Sequence, residues 1–128
     1  MCCSLRTSPI WQTPSALAYA WKDERGDGHF WILRGADTQL ATDDAESAGI
    51  HRLAALVVGS VSLSTQPARS AIEHAVSLAR SAGVPVVFDV NLRPTVWSDP
   101  VAARTSCERI AAGSLLVKLS LDDATGLF

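Results

Sequence analysis

Polar side chains follow an apolar run at every second position in the stretch FDVNLRPTVW, residues 88–97. They are a carboxylate, an amide and a guanidinium, at Asp89, Asn91 and Arg93. If the chain stays extended beyond Phe88, all three point to one side of it. Carboxylate and amide oxygens accept hydrogen bonds from hydroxyl groups, and a guanidinium can donate two parallel hydrogen bonds to a carboxylate or phosphate. The row suits a hydroxylated ligand, although Asp89 could equally well cap the loop or pair with Arg93.

The elements that must position this row are strands and helices in alternation. Apolar runs predict strands at 53–58, 84–90 and 115–120, and amphipathic patterns predict helices over 68–82 and from 99 or 100 to about 112. Continuous apolar character over 53–58 is typical of a strand that is covered on both faces. Since helical crossovers join parallel neighbours, the order predicts part of a doubly wound α/β sheet of about three parallel strands.

The helix predicted over 68–82 has the clearest boundary signals. Ser64 or Thr65 is available as its N-cap, Pro67 falls in its first turn, and Gly83 follows its last turn as a C-cap. This helix should therefore form the first crossover of the sheet.

The amino-terminal part of the chain has a different pattern. Strand-like segments at 15–21 and 29–33 flank the turn-forming KDERGDG, which predicts an antiparallel hairpin. The polar segment 35–50 predicts a loop with a short helix. Residues 1–12 match neither strand nor helix periodicity, so we expect an irregular segment there and one domain over 13–128.

Ligands of parallel α/β sheets bind beyond the carboxyl ends of the strands, where loops meet the starts of helices. Glycine and polar residues lie at or just beyond the end of each predicted strand, so we expect them to collect at one edge of the sheet. They are Gly59 and Ser60, then Asp89, Asn91 and Arg93, then Lys118, Ser120, Asp122 and Asp123.

Composition excludes several classes of protein. The chain has 128 residues, of which 48% are hydrophobic and 19% charged, as is typical of a globular domain. Its net charge of −2 argues against a nucleic-acid-binding protein. The longest strongly apolar run, 53–58, is too short to span a membrane. Cys2, Cys3 and Cys107 have neither a disulfide pattern nor metal-ligand spacing, which favours a soluble protein in the cytoplasm.

The opening stretch resembles the Asp-x-Asn-x-Arg-Pro-x-x-Trp signature of bacterial fructokinases and 2-keto-3-deoxygluconate kinases, within the ribokinase-like (PfkB-type) carbohydrate kinase family. The segment GSVSLSTQPARS at 59–70 is similar to a fructokinase segment that reads Gly-Ser-(Ile/Val)-Ser-Leu and then Glu-Pro-Ala-Arg-Ser, with Gln66 in place of the usual acid. Residues 14–37 resemble the hairpin and Arg-Gly-Ala-Asp that precede the core in this family.

The resemblance extends to VKLSLDD at 117–123, which is similar to the stretch carrying the family's Asn-x-x-Glu motif near magnesium and the phosphates. Ser120 and Asp123 occupy the Asn and Glu positions, which leaves the metal role less certain. Altogether the likeness runs from about Thr13 to Phe128, and the matching segments occur in the family's order.

What the resemblance implies is ATP-dependent phosphorylation of a sugar with Mg²⁺, fructose first and 2-keto-3-deoxygluconate, a keto-deoxy sugar acid, second. The fold implied is ribokinase-like, and a homodimer of the intact protein is a further expectation. Arg34 and Arg93 match arginines that face the substrate, and Asp89 and Asn91 would shape the same pocket. The residues expected near the nucleotide and magnesium are Lys118, Ser120 and Asp123.

The family's catalytic base is the Asp of a Gly-x-Gly-Asp motif, and this motif does not occur in the chain. The sequence GDG at 26–28 is reversed and lies in the predicted hairpin turn. We therefore expect no catalytic residue here: 13–128 would be the central part of a kinase domain, truncated at both ends and inactive alone. The alternative is a non-catalytic α/β sugar-binding module, a remnant of such a kinase.

Overall fold

The computed structural model describes residues 13–127 as two small sheets and four α-helices. The strands are β1 (Leu17–Lys22), β2 (Gly28–Leu33), β3 (Leu56–Gly59), β4 (Val86–Asp89) and β5 (Leu116–Lys118). The helices are α1 (Thr42–Ser47), α2 (Ala68–Ser81), α3 (Pro100–Ala111) and α4 (Leu121–Leu127). The predicted hairpin and the predicted alternation of strands and helices are both confirmed, while the expected irregular segment 1–12 lies outside the described residues.

β4 is the central strand of a parallel sheet in the order β3-β4-β5. Its alternate side chains Val86 and Phe88 are buried, and Val90 continues this apolar column beyond the strand. Phe88 lies opposite Val58 on β3 and Val117 on β5. The carboxyl ends of all three strands consequently meet at one edge, as their parallel order requires.

The expectation that the first parallel strand is covered on both faces is wrong. The strand is limited to 56–59, and Val57 remains 67% exposed. β3 lies at the margin of the sheet and pairs with β4 on one side, so the described residues cover only one of its faces. A continuous apolar run indicates where burial would be favourable, but it does not supply the layer that buries it.

α2 begins at Ala68 as predicted and ends within one residue of the predicted end, but its N-cap is not the predicted one. Gly83 has φ +69°, and the amides of Gly83 and Val84 donate to the carbonyls of Arg80 and Ala79, the pattern that terminates helices at glycine. At the other end Pro67 is itself the N-cap residue.

The predicted caps of α2, Ser64 and Thr65, do not serve that role through their side chains. The Ser64 hydroxyl donates to the carbonyl of Val61, and Thr65 contributes its carbonyl, which accepts from the amide of Arg69. With α2 beginning at Ala68, the N-cap position falls on Pro67, so neither hydroxyl is placed to cap the helix, and that of Ser64 is engaged by Val61 and Arg34.

The hairpin projects from the domain, and every residue from Pro14 to Trp31 is exposed. Its turn is organised by Asp23, whose Oδ1 accepts from the amides of Arg25 and Asp27 while Oδ2 contacts His29 at 2.9 Å. The hydrogen bond with His29, followed by those from the backbone, lowers the pKa of Asp23. The turn is thus held by local contacts, independently of the core.

The helices described between residues 13 and 127 are too short or too polar to span a lipid bilayer.

Candidate functional site

Hydrogen bonds beyond the sheet ladder join the ends of the three parallel strands. The amide of Val90 donates to the carbonyl of Lys118 at 2.9 Å, and the amide of Ser60 donates to the carbonyl of Val90 at 3.3 Å. The fully buried Ser60 hydroxyl lies 3.4 Å from the carbonyl of Asn91 and donates to it. These contacts hold the polar strand ends in one layer, as the parallel order predicted.

The chain does not stay extended after β4, so the expected single row of side chains is wrong. Asn91 has φ +41°, a left-handed conformation that asparagine tolerates better than most residues. Asp89 and Asn91 still line one groove of about 550 Å³, together with Gly59 and Ser60. Arg93 is not among the residues lining this groove.

Asp89 pairs with Lys118 and not with Arg93. The Nζ atom of Lys118 lies 3.0 Å from Oδ1 of Asp89, without the alignment of a hydrogen bond. Both side chains are about half exposed or more, and an exposed ion pair of this kind contributes at most about 1 kcal/mol. The pair links the second and third strand ends; Oδ1 of Asp89 is buried, while much of both side chains stays exposed.

Arg93 turns toward the hairpin. Its Cζ atom lies 4.9 Å from the centroid of the Phe30 ring, and its Nη1 donates to the carbonyl of Leu92 at 3.0 Å. Among residues 13–127 no acidic side chain forms an ion pair with Arg93. A half-buried guanidinium without an acidic partner is well suited to bind an anion or the hydroxyl groups of a ligand.

Arg34 is mostly engaged by its own neighbourhood. Its Nε donates to Asp37 Oδ2 at 2.5 Å and its Nη1 donates to the Ser64 hydroxyl at 2.7 Å. The Nη2 atom is buried and has no hydrogen-bond partner. Because Nη2 is buried, Arg34 exposes no free donor to a ligand in this arrangement, and it does not line the groove that Asp89 and Asn91 share.

Ser64 is a junction that sequence reasoning missed. Arg34 reaches its hydroxyl from the hairpin side, while Arg69 of α2 donates to its carbonyl at 3.2 Å and to that of Leu63 at 2.6 Å. The Cζ atom of Arg69 lies 5.5 Å from the centroid of the buried Trp97 ring. Arg69 belongs to QPARS, part of the segment that resembles fructokinases. That resemblance is the one sequence signal that could have pointed to the contacts between Arg69 and Ser64.

Asp123 connects the second strand end to the start of α4. Its Oδ1 accepts from the amide of Leu92 at 2.6 Å, and its Oδ2 accepts from the amide of Ser120 at 2.8 Å. The amide of Asp123 donates in turn to the Ser120 hydroxyl at 3.1 Å, which completes a capping box. Ser120 and Asp123 thus lie at the predicted edge, where they fix the loop that carries Asn91 and Arg93.

The electrostatics of Asp123 follow from the same contacts. Burial alone would raise the pKa of this carboxyl, which is only 4% exposed. The hydrogen bonds from Ser120 and Leu92, with the nearby charge of Lys118, outweigh that effect and lower its pKa. Asp123 is therefore ionised at neutral pH with an amide hydrogen bond to each oxygen.

A metal site is not preformed in the part of the chain that is described. Within 13–127 no three His, Cys, Asp or Glu side chains come close enough together to hold an ion.

The protein is of the α/β class, with the polar ends of a parallel sheet beside an arginine that contacts the hairpin. No protein-family model matches the chain. It is 33% identical over 108 residues to probable fructokinase-3 of Arabidopsis thaliana, covering 83% of this chain and 31% of that protein. It is also 35% identical over 65 residues to 5-dehydro-2-deoxygluconokinase of Shouchella clausii, covering 51% and 20%.

Solved structures agree with these relatives. The fold superposes on the fructokinase of Halothermothrix orenii with a TM-score of 0.79 and 29% identity, covering 91% of this chain and 41% of that one. A fructokinase of Vibrio cholerae, solved with fructose, ADP and potassium, matches with a TM-score of 0.66 and 28% identity, covering 86% and 36%. The chain belongs to the ribokinase-like, PfkB-type carbohydrate kinase family, and it spans about a third of the length of the fructokinases it matches.

Proposed function

We propose that this protein serves the ATP-dependent phosphorylation of a sugar, with fructose as the first candidate. The observation that carries the proposal is the position of the Asp-x-Asn-x-Arg-Pro segment at the carboxyl end of the central strand, with Arg93 free of any acidic partner within 13–127. Asp89 and Asn91 would bind sugar hydroxyls from the groove. Arg93 would contact the same sugar from the hairpin side, and the buried Nη2 of Arg34 would donate to it once the side chains around it move.

The reaction is a direct transfer in which a sugar hydroxyl attacks the γ-phosphorus of ATP. The new bond joins the sugar oxygen to phosphorus, the bond to ADP breaks, and the hydroxyl proton passes to a base. The chain contains no Gly-x-Gly-Asp to supply that base. We therefore propose that these residues bind the sugar but do not phosphorylate it alone. Turnover comparable to a full-length fructokinase, with the purified chain and magnesium ATP, would contradict this.

The described residues fit a phosphate better than a metal. The Lys118 ammonium is exposed at the edge and suits a nucleotide phosphate. Both oxygens of Asp123, by contrast, already accept amide hydrogens, and its neighbour Ser120 is part of the same cap. We assign Lys118 to the phosphates, and we assign Ser120 and Asp123 to holding the loop near them. Magnesium therefore has no ligand set among the described residues.

A keto-deoxy sugar acid such as 2-keto-3-deoxygluconate is the second candidate. The observation in its favour is again the lack of an acidic partner for Arg93, because a substrate carboxylate could accept two hydrogen bonds from its guanidinium. A neutral sugar would satisfy the same N–H groups without neutralising the charge. A sugar acid should therefore bind with a stronger dependence on salt than fructose does.

Calorimetric titration of the purified chain with each sugar tests the proposal. Arg93→Ala should weaken binding of the preferred sugar about tenfold, since a hydrogen bond to a charged group contributes about 1.5 kcal/mol or more. Arg25→Ala, which removes an equal charge from the exposed hairpin turn, should leave the affinity unchanged. Equal affinities of wild type and Arg93→Ala would contradict the assigned contact, and binding of neither sugar would contradict the function.

The remaining parts of the proposal concern the setting of the protein. We place it in the cytoplasm, where its sugar and ATP are found together, and we expect the intact protein to form a homodimer. Support for association comes from the hairpin, on which Leu17, Tyr19 and Trp31 are each at least half exposed. Light scattering of the purified protein should give the mass of a dimer, and a monomer at high concentration would contradict this part.

A further inference from the structure

The hairpin meets the strand-end edge through one aromatic ring. Phe30 lies on β2 opposite Ala20, and its ring centroid is 4.9 Å from the Cζ atom of Arg93. The neighbouring Trp31 stacks on Tyr19 at 5.6 Å and, by strand alternation, lies on the other face of the hairpin. The two aromatic neighbours of β2 thus have different surroundings, and of the two it is Phe30 that contacts the candidate site.

Two contacts determine where the guanidinium of Arg93 lies. One is the hydrogen bond from Nη1 to the carbonyl of Leu92, which is local, and the other is the ring of Phe30, which comes from a separate sheet. Neither Nε nor Nη2 has an acceptor among residues 13–127. The ring therefore holds the charged group without using up the donors that a ligand would need.

We propose that Phe30 is a positioning residue for Arg93, so that the hairpin sets the affinity of the strand-end site for its sugar. The inference rests on the proposed function, because it names the residue that keeps a substrate-binding arginine in place. Without the ring, Arg93 would be free to adopt other rotamers, and the ligand would have to order it on binding. A contact of this kind, when partly exposed, corresponds to about a two- to fivefold change in affinity.

Three variants distinguish a role of Phe30 in positioning Arg93 from a general destabilisation of the hairpin. Phe30→Leu keeps an apolar side chain but removes the ring, Phe30→Tyr keeps the ring, and Trp31→Leu removes a ring from the opposite face. In titrations with fructose and with 2-keto-3-deoxygluconate, Phe30→Leu should bind the preferred sugar about two- to fivefold more weakly. Phe30→Tyr and Trp31→Leu should match the wild type. Equal losses in Phe30→Leu and Trp31→Leu would overturn the proposal.

A double-mutant cycle gives a second criterion. If Phe30 acts through Arg93, Phe30→Leu should have no further effect on sugar affinity once Arg93→Ala is present. Additive losses would mean that the ring contacts the sugar or the fold directly, and the positioning role would be refuted.

The Nε–H signal of Arg93 in nuclear magnetic resonance spectra reports the contact without any ligand. An aromatic ring displaces nearby proton resonances, so Phe30→Leu should shift this signal and Trp31→Leu should not. The signal is assigned as the one that disappears in Arg93→Lys, because lysine has no guanidinium. An unshifted signal in Phe30→Leu overturns the inference whatever the sugar result. If the wild type binds neither sugar, the proposed function fails, and this signal still decides whether Phe30 holds the guanidinium.

Discussion

Replacing Asp123 should loosen the loop that carries the candidate site. In Asp123→Ala the amides of Leu92 and Ser120 lose a charged acceptor, at distances of 2.6 and 2.8 Å in the native fold. The Leu92 amide lies in a buried segment and would stay unpaired, whereas the Ser120 amide is at an exposed helix start and can bind water. Together the two losses should lower the free energy of unfolding by about 2 to 4 kcal/mol near neutral pH.

The pH dependence of this effect has a definite sign. The pKa of Asp123 is lowered in the folded protein from an ordinary value of 3.8, so its stabilisation is fully present above that value. The stabilisation is lost as the pH falls from 3.8 through the folded pKa. The difference in unfolding free energy between wild type and Asp123→Asn should therefore shrink on acidification, because the amide of the variant does not titrate.

Urea denaturation followed by tryptophan fluorescence, at about pH 7 and about pH 3, measures both effects. Asp122→Asn is the matched control, because it removes the same charge from the exposed neighbouring position on α4. The reasoning is refuted if Asp123→Asn and Asp122→Asn lose equal stability, or if the loss in Asp123→Asn is the same at both pH values.

Three further outcomes can be checked on the purified chain. Asn91→Ala should lower the free energy of unfolding by about 1 kcal/mol, and Asn91→Gly by less, because a positive φ is strained for alanine and not for glycine. Both variants should bind the sugar more weakly, because both lack the side-chain amide. Gly83→Ala should cost about 1 kcal/mol in urea denaturation, since the cap of α2 needs a left-handed residue. Burial raises the pKa of Cys107 to about 11, so in a Cys2→Ser, Cys3→Ser background maleimide at neutral pH should label it only when urea unfolds the chain.

Each of these outcomes has its contrary. Equal stability of the glycine and alanine variants at position 91 would show that its backbone conformation carries no cost. An unchanged midpoint in Gly83→Ala would mean that the helix end relaxes around the substitution. Rapid labelling of Cys107 in the native chain would contradict its burial.

Sequence reasoning succeeded where structure is decided locally. The hairpin follows from two strand-like segments around a turn. α3 begins at Pro100, one of its two predicted starts, and the structure shows Asp99 as its N-cap. The parallel order followed from the alternation of strands and helices. That order in turn brought Ser60, Asp89 and Lys118 to one edge.

The misses share a different cause, which is tertiary contact. The left-handed turn at Asn91 is flanked by hydrogen bonds to Ser60 and Asp123, and Ser64 is engaged by Arg34; all of these partners are distant in sequence. The same holds for the contact of Arg93 with Phe30. The exposure of Val57 reflects a covering layer that a strand pattern cannot reveal.

Mapping fructose onto the chain by amide proton–nitrogen correlation spectra tests the central claim most directly. If the strand-end edge is the sugar site, addition of fructose should shift the amide signals of Gly59, Ser60, Asp89 and Asn91, and these shifts should weaken in Arg93→Ala. Signals of residues 78–81 at the carboxyl end of α2, which precede the amino end of β4 and so lie at the opposite edge of the sheet, should stay in place. Shifts confined to other parts of the chain, or none at saturating fructose and 2-keto-3-deoxygluconate, would contradict the account.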